Sequence, residues 1–180
     1  MLSAGVEVTY KPFNVIITHL PSPHARWKIA SFMRKTAGYF YITEYSSNVV
    51  LGKVKDPIAA AEALASNLTP SSPFLRFIPV LEVRSPRLRE VKQAVEELLS
   101  KQGEGSFAIR LDGHLEDEEG RLMSRRDSIV MLAEGIERKV DLENPDVIVY
   151  VKVVRFRGRW VAAIYVGSPK HILSVAKLPQ

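Results

Sequence analysis

Proline-bearing breakers cut the first 84 residues into segments that alternate between two periodicities, and this alternation constrains the fold more than any other feature of the chain. Phe13–Thr18 is a short β-branched run stopped by Pro21-Ser22-Pro23, the pattern of a strand running into a turn. Residues 24–37 follow with Trp27, Ile29, Ala30, Phe32, Met33 and Ala37 near helical spacing, and Gly38 is placed to close the helix. Tyr39–Tyr45 and Val49–Val54 read as strands joined by a hairpin turn at Ser46-Ser47-Asn48. Asp56-Pro57 pairs an N-cap with proline at the first helical position and opens an Ala-rich helix over 57–68. Thr69–Pro73 ends that helix, and Leu75–Arg84 is expected to form one further strand.

The resulting order, β-α-β-β-α-β, is that of a ferredoxin-like module over residues 1–83. Ser85-Pro86 repeats the cap logic and starts a helix expected over 86–101, with Leu88, Val91, Val95, Leu98 and Leu99 on one face. A strand is expected at Ser106–Leu111, a polar loop at Asp112–Leu122 and a helix over 124–138 capped by Ser124. Val147–Val154 and Trp160–Val166 read as two strands facing each other across Arg155–Arg159. The fold class is therefore α+β, with a second α/β module over 84–180 and a junction so short that the two modules should pack together.

Chemistry-bearing motifs are sparse. The chain has no cysteine, so thiolate metal sites and cysteine nucleophiles do not arise. The four histidines lack ligand spacing, no Gly-rich phosphate loop opens a helix, and no Gly-x-Ser-x-Gly elbow activates a serine. No cofactor is expected. No apolar run reaches the ~18 residues that a bilayer span needs, and the first residues lack a basic segment followed by an apolar block, so the expected location is cytoplasmic, away from membranes. The net charge is +5 and the pI is near 9.5, which points to a polyanionic partner such as nucleic acid. Residues 1–80 carry eight basic and four acidic groups (+4), and residues 81–180 carry 17 and 16 (+1), so clustering matters in the second half. Arg155, Arg157 and Arg159 crowd a hairpin tip beside Phe156 and Trp160, where phosphates would relieve their repulsion. Arg121, Arg125 and Arg126 cluster at a helix N-terminus, where backbone N–H groups also favour phosphate; neutralisation by Glu116–Glu119 is the competing reading. Gly38–Ile42 is similar to the aromatic stretch of an RNA-recognition motif, but its rings fall on the second strand rather than the third, so packing is the expected role.

The second half also resembles a known module. Phe107-Ala108-Ile109-Arg110, a loop and a helix containing Gly135, and Val140-Asp141-Leu142-Glu143-Asn144-Pro145-Asp146 leading into an apolar strand resemble the THUMP domain over roughly residues 84–178. Asp112-Gly113-His114 stands where a second arginine is usual. The resemblance implies RNA binding, with tRNA as partner through its acceptor end. It is nearest to the stand-alone type that serves as tRNA-binding adaptor of an RNA cytidine acetyltransferase. On that basis no catalysis is expected from this chain, and its second partner is an RNA acetyltransferase or another tRNA-modifying enzyme. Arg110, His114, Arg121, Arg125, Arg126, Arg155, Arg157, Arg159 and Lys170 are the residues expected to meet RNA, while Asn144 and Asp146 are read as structural. The alternatives are a structural or ribosome-associated RNA-binding module, and a small enzyme with an unrecognised site.

Overall fold

The computed structural model describes residues 11–178. The first module contains β1 (Val15–Thr18), α1 (Ala25–Ala37), β2 (Phe40–Tyr45), β3 (Val49–Val54), α2 (Pro57–Ala65) and β4 (Arg76–Pro79). Its strands lie antiparallel in the order β2-β3-β1-β4, which is the ferredoxin-like arrangement expected from the segment order. Asp56 caps α2 as its sequence predicts, its carboxylate accepting from the N–H groups of Ile58 (2.9 Å) and Ala59 (3.1 Å). The helix stops at Ala65 rather than residue 68, and the Asn67 amide closes it by donating to the Ala63 carbonyl. Trp27 does not join the apolar face of α1: it is exposed, and Ala25, Ile29, Ala30 and Met33 form that face instead.

The expected single strand at Leu75–Arg84 is two strands in two sheets. β4 ends at Pro79, Val80 N–H donates to Asn14 in the first module, and the next N–H, of Leu81, donates to Ile164 in the second. The chain changes sheets between two neighbouring residues. β5 (Glu82–Arg84) then begins the second module, followed by α3 (Leu88–Leu99), β6 (Phe107–Asp112), α4 (Arg125–Ala133), β7 (Val147–Phe156) and β8 (Arg159–Gly167). The sheet order is β5-β8-β7-β6, with β6 and β7 parallel and the other pairs antiparallel. α3 starts two residues later than the Ser85-Pro86 signal, because Pro86 instead accepts from the N–H of Glu116 and pins the polar loop. α4 ends at Ala133, five residues early, with Gly135 just beyond at φ +83°. After β8, a 3-10 turn at Pro169–His171 leads to β9 (Leu173–Ser174), which pairs with β4 and so returns the chain to the first sheet.

Side-chain alternation along the strands produces three stacked cores. Val15, Ile17, Val50 and Phe77 face α1 and α2, packing on Ile29, Met33 and Leu64. Their neighbours Ile16, Leu51 and Ile78 face the second sheet and meet Ile148, Tyr150, Ala163 and Tyr165. On the far side, Leu111, Val149, Val151 and Ile164 pack against Val95, Leu98 and Leu132 from α3 and α4. The layers run helices, sheet, sheet, helices. Strands buried on both faces need apolar residues at consecutive positions, which is why Val147–Val151 carries no charge. The stacking also covers the sheet face that an RNA-recognition motif would leave open. Phe40 is buried, whereas Tyr39 and Tyr45, at the ends of the aromatic stretch, are exposed. No helix among the described residues is long and apolar enough to cross a membrane.

Candidate functional site

Four cationic side chains from four separate segments line one cleft of about 510 Å³ at the C-terminal end of β6. Arg110 belongs to β6 and shares the alternation of Ala108, so it stands on the side that faces the first module. Arg76 comes from β4, and its guanidinium donates to the Tyr150 hydroxyl at 3.4 Å. Arg125 is the first residue of α4, and Lys177 ends the 3-10 turn Val175–Lys177 that follows β9. Pairing of β9 with β4 carries Lys177 to the cleft, so the junction of the two sheets is what assembles this group.

The electrostatics of the cleft are uneven in one direction. Asp112 is its only carboxylate among the described residues, and it is engaged by Lys152. The side chains of Arg110, Arg125 and Lys177 have no hydrogen bond or ion pair among the described residues. Ser124 caps α4 by accepting from the Asp127 N–H at 3.1 Å, and since Arg125 is the first helical residue and lines the cleft, the positive end of the helix dipole lies beside it. Gly113 follows β6 at φ +105°, and a β-carbon there would lie 2.8 Å from that of Val153. Only glycine lets the chain leave β6 this close to β7. The arrangement suits a polyanion: cations spaced along an open cleft, with their local carboxylate already paired.

The structure distributes the remaining candidate residues around this cleft. Arg121 and Arg126 are exposed beside the start of α4. The acidic run forms no ion pair with them among the described residues: Glu118 pairs with Arg89 at 3.7 Å, and Asp117 accepts from the N–H groups of Glu119 and Arg121. Arg155 packs against the Trp160 ring at 5.2 Å and donates to Gly158. Arg157 lies over Phe156, and its backbone N–H donates to the Glu44 carboxylate at 2.9 and 3.2 Å, so the hairpin tip docks on β2. Arg159 is exposed next to it. His114 bonds the Met123 carbonyl at 3.1 Å and lines a small apolar recess with Leu122 and Trp160. Lys170 sits apart, on the turn whose neighbour His171 contacts Glu62 of α2.

Arg76 and Lys177 were not singled out by the sequence, because neither stands in a basic cluster. Conversely, the Val140–Asp146 element is structural in a more specific way than expected. Asp146 ties to Ser106, forty residues earlier, and the local tie inside the element is made by Asp141, not Asn144. The Asp141 carboxylate accepts from Asn144 and Glu143 N–H groups, which hold its pKa below the usual 3.8. Among the described residues, no group of three or more His, Asp or Glu side chains is placed to hold a metal ion.

No protein-family model matches the sequence, and no curated protein matches it. Solved structures do resemble the fold. PH1313 from Pyrococcus horikoshii Ot3 is 13% identical, with a TM-score of 0.57 over 90% of this chain and 55% of its own. TrmN from Thermus thermophilus is 15% identical, with a TM-score of 0.53 over 84% of this chain and 44% of its own. A 4-thiouridine synthetase solved with RNA and ATP is 14% identical, with a TM-score of 0.49 over 87% of this chain and 42% of its own. At these identities the likeness to PH1313 and TrmN is one of fold, and the chain spans about half of their length.

Proposed function

We propose that this chain binds structured RNA, tRNA in particular, through the cationic cleft, without catalysis of its own. The observation that carries the reading is the convergence of Arg76, Arg110, Arg125 and Lys177 from both modules beside the N-terminus of α4. Guanidinium groups fork around phosphate oxygens, and a helix N-terminus adds backbone donors. Contacts of this kind recognise backbone and shape rather than base sequence. The motif resemblance at Phe107–Arg110 and Val140–Asp146 supports the same reading, and a THUMP-like second module behind a ferredoxin-like first one agrees with it. On that resemblance the chain is a cytoplasmic adaptor that holds the acceptor end of tRNA for a modifying enzyme, an RNA cytidine acetyltransferase. Holding substrate and enzyme together raises their effective concentration without any new chemistry.

A tRNA titration across salt concentrations tests the binding. Neutralising about 4–6 phosphates gives a slope of roughly −3 to −5 in log K against log salt. A titration that is flat in salt, or no binding at low salt, overturns the reading. The adaptor role is tested by adding the chain to a purified RNA cytidine acetyltransferase. Acetylation of tRNA should rise with the chain present and be absent with the chain alone; an unchanged rate removes that enzyme as the partner.

A further inference from the structure

A second cleft, of about 460 Å³, opens where the β2–β3 hairpin of the first module meets the β7–β8 hairpin of the second. Each module contributes one exposed aromatic ring to it: Tyr45 (54% exposed) and Trp160 (53%). Each ring is already packed against a guanidinium group, Arg26 at 3.9 Å from the Tyr45 centroid and Arg155 at 5.2 Å from that of Trp160. Arg26 lies outside the cleft and covers one face of Tyr45, which leaves the other face of that ring for a flat partner, and about half of the Trp160 surface also remains open. The floor is apolar, made by Val49, Leu51, Val153 and Val154; Arg155 stands beside it, while the other cation of the lining, Lys152, is paired with Asp112. Glu44 is the carboxylate in the cleft, and it faces the Arg157 N–H, the contact that holds the two hairpins together.

We infer that this cleft receives one unpaired nucleobase of the RNA whose phosphates lie along the cationic cleft. Apolar floor and aromatic surface fit the flat face of a base, and the Arg155 guanidinium fits a phosphate that flanks it. The Glu44 contact presets the spacing of the rings, so little order is lost when the base enters. The inference rests on the RNA-binding reading and adds to it a preference for single-stranded over fully paired nucleotides.

Three RNAs bound by the full chain test this: a blunt duplex, the same duplex with a single-stranded extension, and that extension made abasic. The expected result is that the intact extension binds about tenfold tighter than the abasic one, the scale of one base stacked on aromatic side chains. The Tyr45→Ala/Trp160→Ala variant should bind the intact and abasic extensions equally, and Tyr45→Phe/Trp160→Phe should restore the preference. If the intact and abasic extensions bind the unaltered chain alike, the base site is overturned while duplex binding keeps the phosphate cleft standing. If none of the three binds, the RNA reading and the base site fall together. The comparison of intact with abasic RNA uses the unaltered chain, so a variant that fails to fold leaves it decisive.

Discussion

Asp146 holds the starts of β6 and β7 level with one another. Its carboxylate accepts from both the N–H (2.9 Å) and the hydroxyl (3.1 Å) of Ser106, and its own N–H donates back to that hydroxyl oxygen at 3.1 Å. Gly105 lies so close that a β-carbon there would fall 2.7 Å from the carboxylate, at a φ of +145°. Replacing Asp146 by Ala removes charge-assisted hydrogen bonds and should lower stability by about 1–2 kcal/mol, read as a lower urea midpoint. Asp141 makes a pH-dependent contribution of known sign. Because its folded pKa lies below the usual 3.8, its contribution is present above that value and is lost as pH falls through the lowered one. The stability difference between the unaltered chain and Asp141→Asn should therefore be visible at neutral pH and vanish in strong acid. Urea unfolding at both pH values checks it, and a difference that survives acid would show that the carboxylate charge is not what the N–H groups hold. Arg138 makes a different point at this scale. Its guanidinium donates to the carbonyls of Leu99, Gln102, Gly103 and Gly105, closing the end of α3, whereas Arg110 bonds nothing described. The two are one letter in the sequence, and only the surrounding carbonyls separate a scaffold arginine from one open to a ligand.

The β7–β8 hairpin turns through Arg157 (φ 49°) and Gly158 (φ 76°), so both central residues are left-handed. That is the backbone of a two-residue turn matched to strand twist, for which Asn-Gly is the favoured pair. Arg157→Asn should keep the N–H donated to Glu44, relieve the left-handed arginine, and raise the melting temperature slightly. Glu44→Ala should act oppositely, leaving the turn intact but undocked, with faster amide exchange at residues 156–159. A tip that exchanges equally in both proteins would mean that the docking contact contributes nothing. Elements of this kind were readable where their signals are local: Asp56-Pro57 sets the start of α2, Ser124 that of α4, and Gly158 the turn. They were misread where a distant partner decides. Leu75–Arg84 has the composition of one strand, yet Val80 and Leu81 donate to carbonyls in different sheets. Ser85-Pro86 has the composition of a cap, yet Pro86 pairs with the loop residue Glu116.

At the scale of the molecule, the two sheets pack face to face, and β9 returns to the first sheet after the second is complete. Arg76 and Lys177 are brought to Arg110 and Arg125 only by those two facts, which is why the pair was illegible in the sequence while Arg110 and Arg125 were not. The hydrophobic anchor of the return is Leu173, buried beside Phe77. Leu173→Ala should cost about 2–3 kcal/mol by leaving a cavity. It should also weaken tRNA binding more than its stability loss alone explains, because Lys177 rides on the same segment.

The cleft residues themselves allow a sharper test, since stability and binding separate there. Arg110 and Arg125 have no side-chain partner among the described residues, so Arg110→Ala and Arg125→Ala should each leave the melting temperature nearly unchanged. If each guanidinium meets one phosphate, losing it should make the slope of log K against log salt shallower by roughly 0.7–0.9. The double variant should lose about twice that, because separate phosphate contacts release counterions independently. Arg138→Ala supplies the opposite pattern. It removes the donor to four carbonyls and should lower the melting temperature, yet leave the salt slope as it was. A melting temperature lowered by the cleft variants, or a slope moved by Arg138→Ala and not by them, would assign the cleft arginines to the scaffold and return the RNA contact to another face of the molecule.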